Sequence, residues 1–294
     1  MTVRQFFEKL YWHLFKVMPC EMILKKKWYA YYKFRDTSKT FDLESIEAPM
    51  NITTGKNIWF YWEQGIENAP AIVKRCYESV VRNKPEGWEV IVLDINKAKE
   101  YISMPSFIED LYAHGKIWKA LYADLLRLAL LYKYGGIWND ATCYVTRPIP
   151  EEILNNPLFF FRIEAMMPCY PLAFENWFIR AEKENYVIGR ILENLMCYWE
   201  TKPKRQEYFN WFYIQYSLYL TDKRAKTLLD EMWYCNNYDA MLIQIKYGYD
   251  YVCSDKTWEW ITKKCFVQKL TYKYEKSLEQ VSELNLLKRL LNNK

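Results

Sequence analysis

The chain has 294 residues, 51% hydrophobic and 26% charged, which is the composition of a globular protein able to bury an extensive core. Only eight glycines and two histidines, His13 and His114, occur, whereas aromatic residues reach 18%. Glycine scarcity excludes the G-x-G-x-x-G and G-x-x-x-x-G-K-[ST] phosphate-binding loops, and the two distant histidines exclude His-rich zinc sites. Phosphate or metal must therefore be bound mainly through carboxylates.

The net charge of +5 is unevenly distributed along the chain. Residues 1–40 and 256–294 are basic, whereas residues 41–255 are acidic. Apolar residues of the N-terminal segment recur at helical spacing, which favours peripheral contact with an anionic membrane, although a solvated basic face is the alternative. No nucleic-acid-binding motif is present, so nucleic acid is not an expected partner. Eight cysteines without a C-x-x-C pair indicate reduced thiols, so we expect a cytoplasmic protein, at the inner face of the membrane if the basic end binds lipid.

The first 150 residues predict alternating strands and helices. Strands are expected at Asn57–Trp62 and Glu89–Asp94. Helices are expected at Pro70–Arg82, at Ile95–Tyr101 and after Ser106. This alternation favours an α/β layer with a mainly parallel sheet, and such sheets bind ligands at the carboxyl ends of their strands.

The next segment carries the charged residues that are most informative about function. A helix that is apolar almost all round is predicted over Asp124–Tyr134, so its charges need partners, and Asp124 and Arg127 share a face. The pair Gly135-Gly136 ends this helix, and Asp140 falls near the end of the strand that follows. These features predict a carboxylate at a strand end, whose position is fixed by the preceding helix and turn.

Each of these features also has a purely structural interpretation. Asp124 could be a helix N-cap paired with Arg127, the glycines only a helix stop, and Asp140 a turn residue. Taken together, these features are suited to binding a nucleotide-diphosphate sugar. A carboxylate-held Mg²⁺ or Mn²⁺ neutralises a leaving diphosphate, while Asp accepts and Arg donates hydrogen bonds at the sugar.

Beyond about residue 150 the pattern predicts mostly helices, at Asn176–Arg180, Val187–Trp199, Tyr208–Leu220, Lys226–Trp233 and Leu278–Leu291. We interpret residues 51–275 as one α/β catalytic domain with helical insertions. A basic amphipathic helical segment at residues 1–50 precedes it, and an amphipathic helix at residues 276–294 follows it.

Several runs of residues resemble one known family. The run from Ala123 to Thr142, A-D-L-L-R-L-A-L-L-Y-K-Y-G-G-I-W-N-D-A-T, resembles the signature of the capsular polysaccharide synthesis proteins. That family is related to the glycosyltransferases with a D-x-D sugar-binding region. Further similar runs, over about residues 56–275, are Ile58–Gly65, Asn68–Pro70, Leu93-Asp94, Asn176–Phe178 and Lys269–Tyr272.

The resemblance implies a GT-A type fold, a Rossmann-like mixed sheet flanked by helices with a helical C-terminal elaboration. It also implies a nucleotide-sugar donor and transfer with retention. By position, Asp124 and Arg127 match the donor-sugar pair, and Asp140 matches the first D-x-D carboxylate, facing the metal and the diphosphate. The implied nucleotide-side residues are Trp59, Tyr61, Gln64, Gly65, Asp94, Asn139 and Thr142, and the implied acceptor or donor-sugar residues are Asn176 and Trp177.

One departure from the D-x-D pattern weakens the expectation of a metal. Thr142 stands at the second carboxylate position, and a neutral hydroxyl is a weaker ligand for Mn²⁺ or Mg²⁺. No histidine follows His114, and Gln268 stands where a metal-binding histidine would be sought. The metal is therefore expected chiefly at Asp140.

The leading hypothesis is a glycosyltransferase of the hexosyltransferase type. It would move a sugar from a UDP-sugar to a surface-glycan acceptor, lipid-linked at the cytoplasmic face, in capsular or cell-surface polysaccharide synthesis. The rival hypothesis is a GT-A-like protein that binds a sugar or a partner without turnover, which D-A-T in place of D-x-D favours. A hydrolase with two spaced carboxylates is a third interpretation.

Overall fold

The computed structural model describes residues 40–52, 55–163, 174–201, 209–274, 282 and 285–292. Residues 1–39 of the predicted basic amphipathic segment lie outside these ranges, as do residues 278–281, 283 and 284 of the predicted C-terminal helix. Across the described ranges, no helix has the length and hydropathy that a membrane crossing requires. The domain boundaries at residues 50 and 275 stay predictions.

A mixed sheet forms the centre of the protein. The strands, in chain order, are β1 (Asn57–Tyr61), β2 (Glu89–Leu93), β3 (Gly136–Asn139), β4 (Cys143–Val145), β5 (Leu158–Arg162), β6 (Phe174–Ala181) and β7 (Val267–Lys269). Five of them form the central sheet in the order β2-β1-β3-β6-β5. Strand β1 is parallel to β2 and β3, whereas β6 is antiparallel to β3 and β5. Strands β4 and β7 form a separate antiparallel pair.

Helices cover both faces of this sheet. They are α1 (Ala71–Asn83), α2 (Ile95–Tyr101), α3 (Ser106–Ala113), α4 (Lys119–Tyr134), α5 (Glu151–Leu154), α6 (Tyr186–Thr201), α7 (Asn210–Thr221), α8 (Lys223–Asp230), α9 (Asn237–Ala240), α10 (Asp255–Lys264) and α11 (Leu286–Asn292). Short 3₁₀ turns lie at Leu43–Ser45 and Ile66–Asn68, and a π turn lies at Ile243–Tyr247. The predicted mixed α/β sheet flanked by helices is confirmed, and this is the architecture that the GT-A type describes.

The core is divided into two hydrophobic clusters by the sheet. Along β1, Trp59 and Tyr61 belong to the cluster under α4, α6 and α7, whereas Ile58 and Phe60 belong to the cluster under α1, the β4–β7 pair and α11. Successive side chains of a strand point to opposite faces, so a strand covered on both faces is apolar throughout. All five residues of β1 are accordingly buried.

The structure corrects four of the predicted elements. Helix α11 starts at Leu286, within the predicted span Leu278–Leu291, since Asn285 pairs with Val252 instead. Residues Asn176–Arg180 are not helical but lie in β6, between β3 and β5, because a short apolar run forms a strand where two neighbours offer hydrogen bonds. Helix α4 starts five residues before Asp124, at Lys119, so Asp124 is an interior residue and not an N-cap. Helix α8 starts and ends three residues earlier than predicted, since Asp222 caps it by accepting from the Ala225 amide at 3.0 Å.

The Gly135-Gly136 turn joins α4 to β3 at a crowded point. Both residues have positive φ, 70° and 101°, which side-chain-bearing residues rarely adopt. A Cβ on Gly136 would overlap the carbonyl oxygen of Asn57, and one on Gly135 would lie 2.7 Å from the Lys183 amide nitrogen. Glycine is therefore required for β3 to start beside β1. The start of β3 in turn fixes the position of Asp140 at its carboxyl end.

Candidate functional site

The carboxyl ends of β1, β2 and β3 meet at one edge of the sheet, because these strands are parallel. The segments that follow β1 and β2 are joined by backbone hydrogen bonds, Trp62 N to Leu93 O at 3.0 Å and Ile95 N to Glu63 O at 3.2 Å. Asp140 directly follows β3 at the same edge. This is the edge at which open α/β sheets bind their ligands.

A buried ion pair from α4 faces this edge. The Arg127 Nη2 atom lies 3.3 Å from Asp124 Oδ1 and 4.0 Å from Asp140 Oδ2, so one guanidinium lies between the two carboxylates. Its carbon lies 4.9 Å from the centre of the Trp138 ring, and this aromatic face helps to hold the cation. The predicted pairing of Asp124 with Arg127 is thus present, and Asp140 completes the group.

Asn176 links the helix pair to β6. Its Nδ2 donates to Asp124 Oδ1 at 3.1 Å, and its backbone carbonyl accepts from Arg127 Nη1 at 2.5 Å. A residue that satisfies both charged partners fixes their rotamers, because buried charges need complete hydrogen bonding. Asn176 therefore positions the pair, and a direct contact from Asn176 to a sugar stays a prediction.

Asp140 lies in a turn closed by Thr142. Its Oδ1 accepts from the Thr142 amide at 3.1 Å and from Thr142 Oγ1 at 2.9 Å. The Lys269 ammonium donates to the same Asp140 oxygen at 2.7 Å and to Thr142 Oγ1 at 2.5 Å. Lysine thus binds the two residues that stand at the D-x-D carboxylate positions.

The β4–β7 pairing brings Lys269 to this turn. Lys269 is in register with Cys143, and the Leu270 amide donates to the Thr142 carbonyl at 2.8 Å. Sequence reasoning did not identify Lys269 as a site residue, since 126 residues separate it from Cys143. The available signal was its place at the start of the run Lys269–Tyr272, which resembles the family.

Burial and charge set the protonation of the two carboxylates in opposite directions. Burial raises the pKa of Asp124 to about 6, although Arg127 partly opposes this. Burial would also raise the pKa of Asp140, but the Lys269 ammonium and then Arg127 outweigh it and hold that pKa well below its usual range. Burial likewise disfavours the charged Lys269, yet Asp140 raises its pKa above the ordinary value. Asp140 and Lys269 stay ionised near neutral pH, whereas Asp124 titrates close to it.

The residues around Asp140 do not fit the divalent cation that the sequence predicts. Among the residues that the structure describes, no three Asp, Glu, His or Cys side chains converge as a metal-binding group. The Lys269 ammonium contacts both oxygens that would have to ligate the ion. Gln268 serves the core instead, donating from Nε2 to the Asp239 carbonyl at 2.7 Å and accepting from the Ile243 amide at 3.4 Å.

Several residues predicted at the nucleotide or the sugar are buried structural groups. Trp59 is fully buried and donates from Nε1 to the Gly135 carbonyl at 2.9 Å, so it supports the turn before β3. Trp177 is buried and stacks on Phe161, with 4.6 Å between ring centres. Asn139 is buried and donates to the Asp140 carbonyl at 3.2 Å. We assign these side chains to support of the site because central strands are covered on both faces.

The other nucleotide-side predictions lie at the carboxyl edge, either at the end of β1 or on the loops that follow β1 and β2. Asp94 accepts from the Asn96 and Lys97 amides, both at 2.8 Å, and so caps α2. Gln64 is exposed, and Gly65 has a φ of 82° with open space around it. Tyr61 is buried at the end of β1, and burial raises the pKa of its phenol strongly. Of these, Gln64 and Gly65 are the ones that face open space.

An aromatic pair borders the same edge. The rings of Trp62 and Tyr272 meet edge to face with 5.3 Å between their centres, and Tyr272 is 41% exposed. Tyr272 was not among the predicted site residues, although it ends the run that begins with Lys269. Exposed faces of such rings are suited to stacking against a planar base.

Comparison with known proteins identifies relatives with one named class of activity. The chain is 28% identical over 175 residues to the probable glycosyltransferase FCK3 of Fusarium pseudograminearum (strain CS3096), covering 56% of this chain and 44% of that protein. It is 30% identical over 165 residues to the O-glycosyltransferase braB of Annulohypoxylon truncatum, covering 51% of this chain and 39% of that protein. The chain therefore spans less than half the length of these curated relatives.

One solved structure, of the PaToxG glycosyltransferase, matches 71% of this chain and 79% of its own with 17% identity and a TM-score of 0.41. The sequence profile of the capsular polysaccharide synthesis proteins matches residues 20–288, which is most of the chain and includes every residue of the site described above. The resemblance carried by the run from Ala123 to Thr142 is thereby confirmed. The chain belongs to the family of capsular polysaccharide synthesis proteins.

Proposed function

We propose that this protein is a glycosyltransferase of the hexosyltransferase type that takes a sugar from a nucleotide-diphosphate donor, a UDP-sugar, and passes it to a surface-glycan acceptor with retention. The observation that carries the proposal is the group Asp124, Arg127 and Asp140 at the carboxyl edge of the sheet. The names of the curated relatives support the class of reaction. The family supports an acceptor in capsular or cell-surface polysaccharide synthesis.

The proposed roles follow from the charges and hydrogen-bonding capacity of these side chains. Asp124, as a carboxylate, accepts hydrogen bonds from donor-sugar hydroxyls, and Arg127 donates to sugar or phosphate oxygens. The bond from the anomeric carbon to the diphosphate breaks with its electron pair on the phosphate oxygen. The acceptor oxygen bonds to that carbon on the same face, and its proton passes to the departing diphosphate. Arg127 offsets the charge that develops on the leaving group.

Nucleotide release from a panel of UDP-sugars, with an acceptor glycan present, tests this function. We expect release from at least one donor, and we expect Asp140→Ala to abolish it because Asp140 anchors Thr142, Lys269 and Arg127. Asp230→Ala is the matched control, since Asp230 pairs with Lys226 on the surface of α8. Absence of release from every donor would instead support the sugar- or partner-binding hypothesis.

The rate of transfer is expected to fall as the pH drops through about 6, the value to which burial raises the pKa of Asp124. A raised pKa means that the carboxyl gains its proton already near pH 6, and a protonated Asp124 no longer accepts from two sugar hydroxyls at once. The pH profile of kcat/KM measures this, with thermal unfolding recorded at each pH as a control. A similar acidic limb in Asp124→Asn would contradict the assignment.

The acceptor is proposed to be lipid-linked and reached from the cytoplasmic face of the membrane. The basic, amphipathic composition of residues 1–40 supports contact with an anionic surface. Flotation with anionic liposomes, using the full chain and a chain that lacks residues 1–40, tests the contact. Equal flotation of both would rule out this segment as the membrane-binding element.

A further inference from the structure

We propose that the Lys269 ammonium, and not a divalent metal ion, provides the positive charge that binds the donor diphosphate at Asp140 and Thr142. This inference rests on the proposed function, because it names the group that binds the diphosphate of the same donor. It follows from the contacts of Lys269 and concerns a residue that the D-x-D resemblance does not assign.

The Lys269 ammonium occupies the position that a metal ion would take. A metal ion held by a D-x-D region would be ligated by the side chains at positions 140 and 142. In this chain Lys269 Nζ lies 2.7 Å from Asp140 Oδ1 and 2.5 Å from Thr142 Oγ1, so the ammonium takes the place between them. The Thr142 hydroxyl in turn donates to Asp140, which leaves its oxygen to accept from Lys269.

The residues described around Asp140 offer few ligands for a metal ion. Mg²⁺ and Mn²⁺ favour oxygen ligands, and proteins hold a nucleotide-bound Mg²⁺ through one or two carboxylates together with the substrate phosphates. Asp124 is already hydrogen-bonded to Asn176 and paired with Arg127, at 3.1 and 3.3 Å. A divalent ion at Asp140 would also lie beside two fixed cations, Lys269 and Arg127, and their repulsion opposes its binding.

A phosphate can reach the Lys269 ammonium. The side chains of Lys269 and Asp140 are 18% and 27% exposed, so they are held by the protein but remain accessible from solvent. An ammonium has three N–H donors, and two are directed at Asp140 and Thr142 in the described part of the chain. The third can meet a phosphate oxygen. Arg127, 4.0 Å from the other Asp140 oxygen, adds a second cation on the same side.

The β4–β7 pair gives the lysine its fixed position. The backbone bond from Leu270 to Thr142 holds the strand, so Lys269 does not depend on a mobile loop to reach Asp140. Such a preorganised cation stabilises a leaving diphosphate without reorganisation during the reaction. The segment that follows β7 leads to Tyr272, beside Trp62, which places a stacking surface for the base close to Lys269 in the chain.

The test measures binding of UDP, GDP and ADP to the full chain by titration calorimetry, first in excess EDTA and then with Mn²⁺. We expect at least one of these nucleotides to bind in EDTA, with an affinity that Mn²⁺ changes by less than about threefold. Lys269→Met, which keeps the length of the side chain but removes its charge, should weaken that binding by about 10- to 100-fold. Lys269→Arg should retain most of it.

Lys226→Met is the matched control, because Lys226 also pairs with an aspartate but lies on α8 at the surface. Thermal unfolding of each variant establishes that it is folded, and the EDTA series on the unaltered chain needs no variant. Binding that disappears in EDTA and returns with Mn²⁺ would overturn the inference while leaving the proposed function intact. Unchanged binding by folded Lys269→Met would do the same. If the unaltered chain binds none of the nucleotides in either condition, both the inference and the proposed donor class fail.

Discussion

Arg127→Met is expected to lower kcat/KM for nucleotide release by about 10²- to 10³-fold, the loss typical of removing one charge-stabilising donor at a developing anion. The guanidinium lies between Asp124 and Asp140 and over the Trp138 ring, and it also donates to the Asn176 carbonyl. Among the described residues, Arg127 is the cation that pairs with both carboxylates. The substitution should also destabilise the fold by about 3 kcal/mol, since it leaves a buried carboxylate without its cation.

Arg127→Lys separates these two effects. Lysine keeps the charge but lacks the planar fork that reaches Asp124 and the Asn176 carbonyl together, so stability should largely recover while the rate stays low. Arg75→Lys is the control, because Arg75 also pairs with an acidic residue three positions away, Glu78, but on the exposed face of α1. The measurements are kcat/KM and denaturant unfolding of each variant. If Arg127→Lys retains more than about half of the rate, the positive charge suffices at the donor and the geometry of the guanidinium has no role there.

Gly136→Ala is expected to reduce the free energy of unfolding by about 4 kcal/mol or more, which is enough to unfold many domains. The new Cβ would overlap the Asn57 carbonyl oxygen, and this contact is between two backbones of adjacent parallel strands that cannot separate without losing hydrogen bonds. The φ of 101° at Gly136 adds backbone strain for any residue that has a Cβ.

Comparison with Gly87→Ala separates the effect of the overlap with Asn57 from the effect of backbone strain. Gly87 has a φ of 76°, but nothing lies within 4 Å of the position of its Cβ. We expect this variant to lose only about 1–2 kcal/mol, the cost of a left-handed conformation for a residue with a side chain. Urea unfolding of both variants gives the comparison. Equal losses would show that the overlap with Asn57 is relieved by a small shift and does not define the start of β3.

The correct predictions share a local cause. The strand at Asn57–Tyr61 and the helix at Ala71–Asn83 have hydrophobic patterns and ends that are encoded within a few residues, such as Pro70 before the helix. The Asp124–Arg127 pair follows from helical geometry, which places residues three apart on one face. The place of Asp140 near a strand end was predictable because the glycine pair marks the start of β3, and strands usually span only a few residues.

The incorrect and missed predictions share a non-local cause. The residues of β6 are an apolar run that either a helix or a strand can accommodate, and its neighbours β3 and β5 decide between them. Trp59 matched a motif at the nucleotide pocket, yet both faces of its strand are covered, and this is decided by distant helices. Burial and long-range pairing are properties of the folded chain, so no local pattern encodes them.

The sequence by itself therefore determined the family, the α/β class and the three charged residues of the candidate site, because each is carried by contiguous motifs and short-range spacing. Only the tertiary structure decided which cation meets Asp140. Lys269 reaches it through the pairing of two short strands far apart in the chain. The scarcity of glycine and histidine excluded glycine-rich phosphate-binding loops and histidine metal sites. That left the positive charge unassigned until the fold placed a lysine against Asp140 and Thr142.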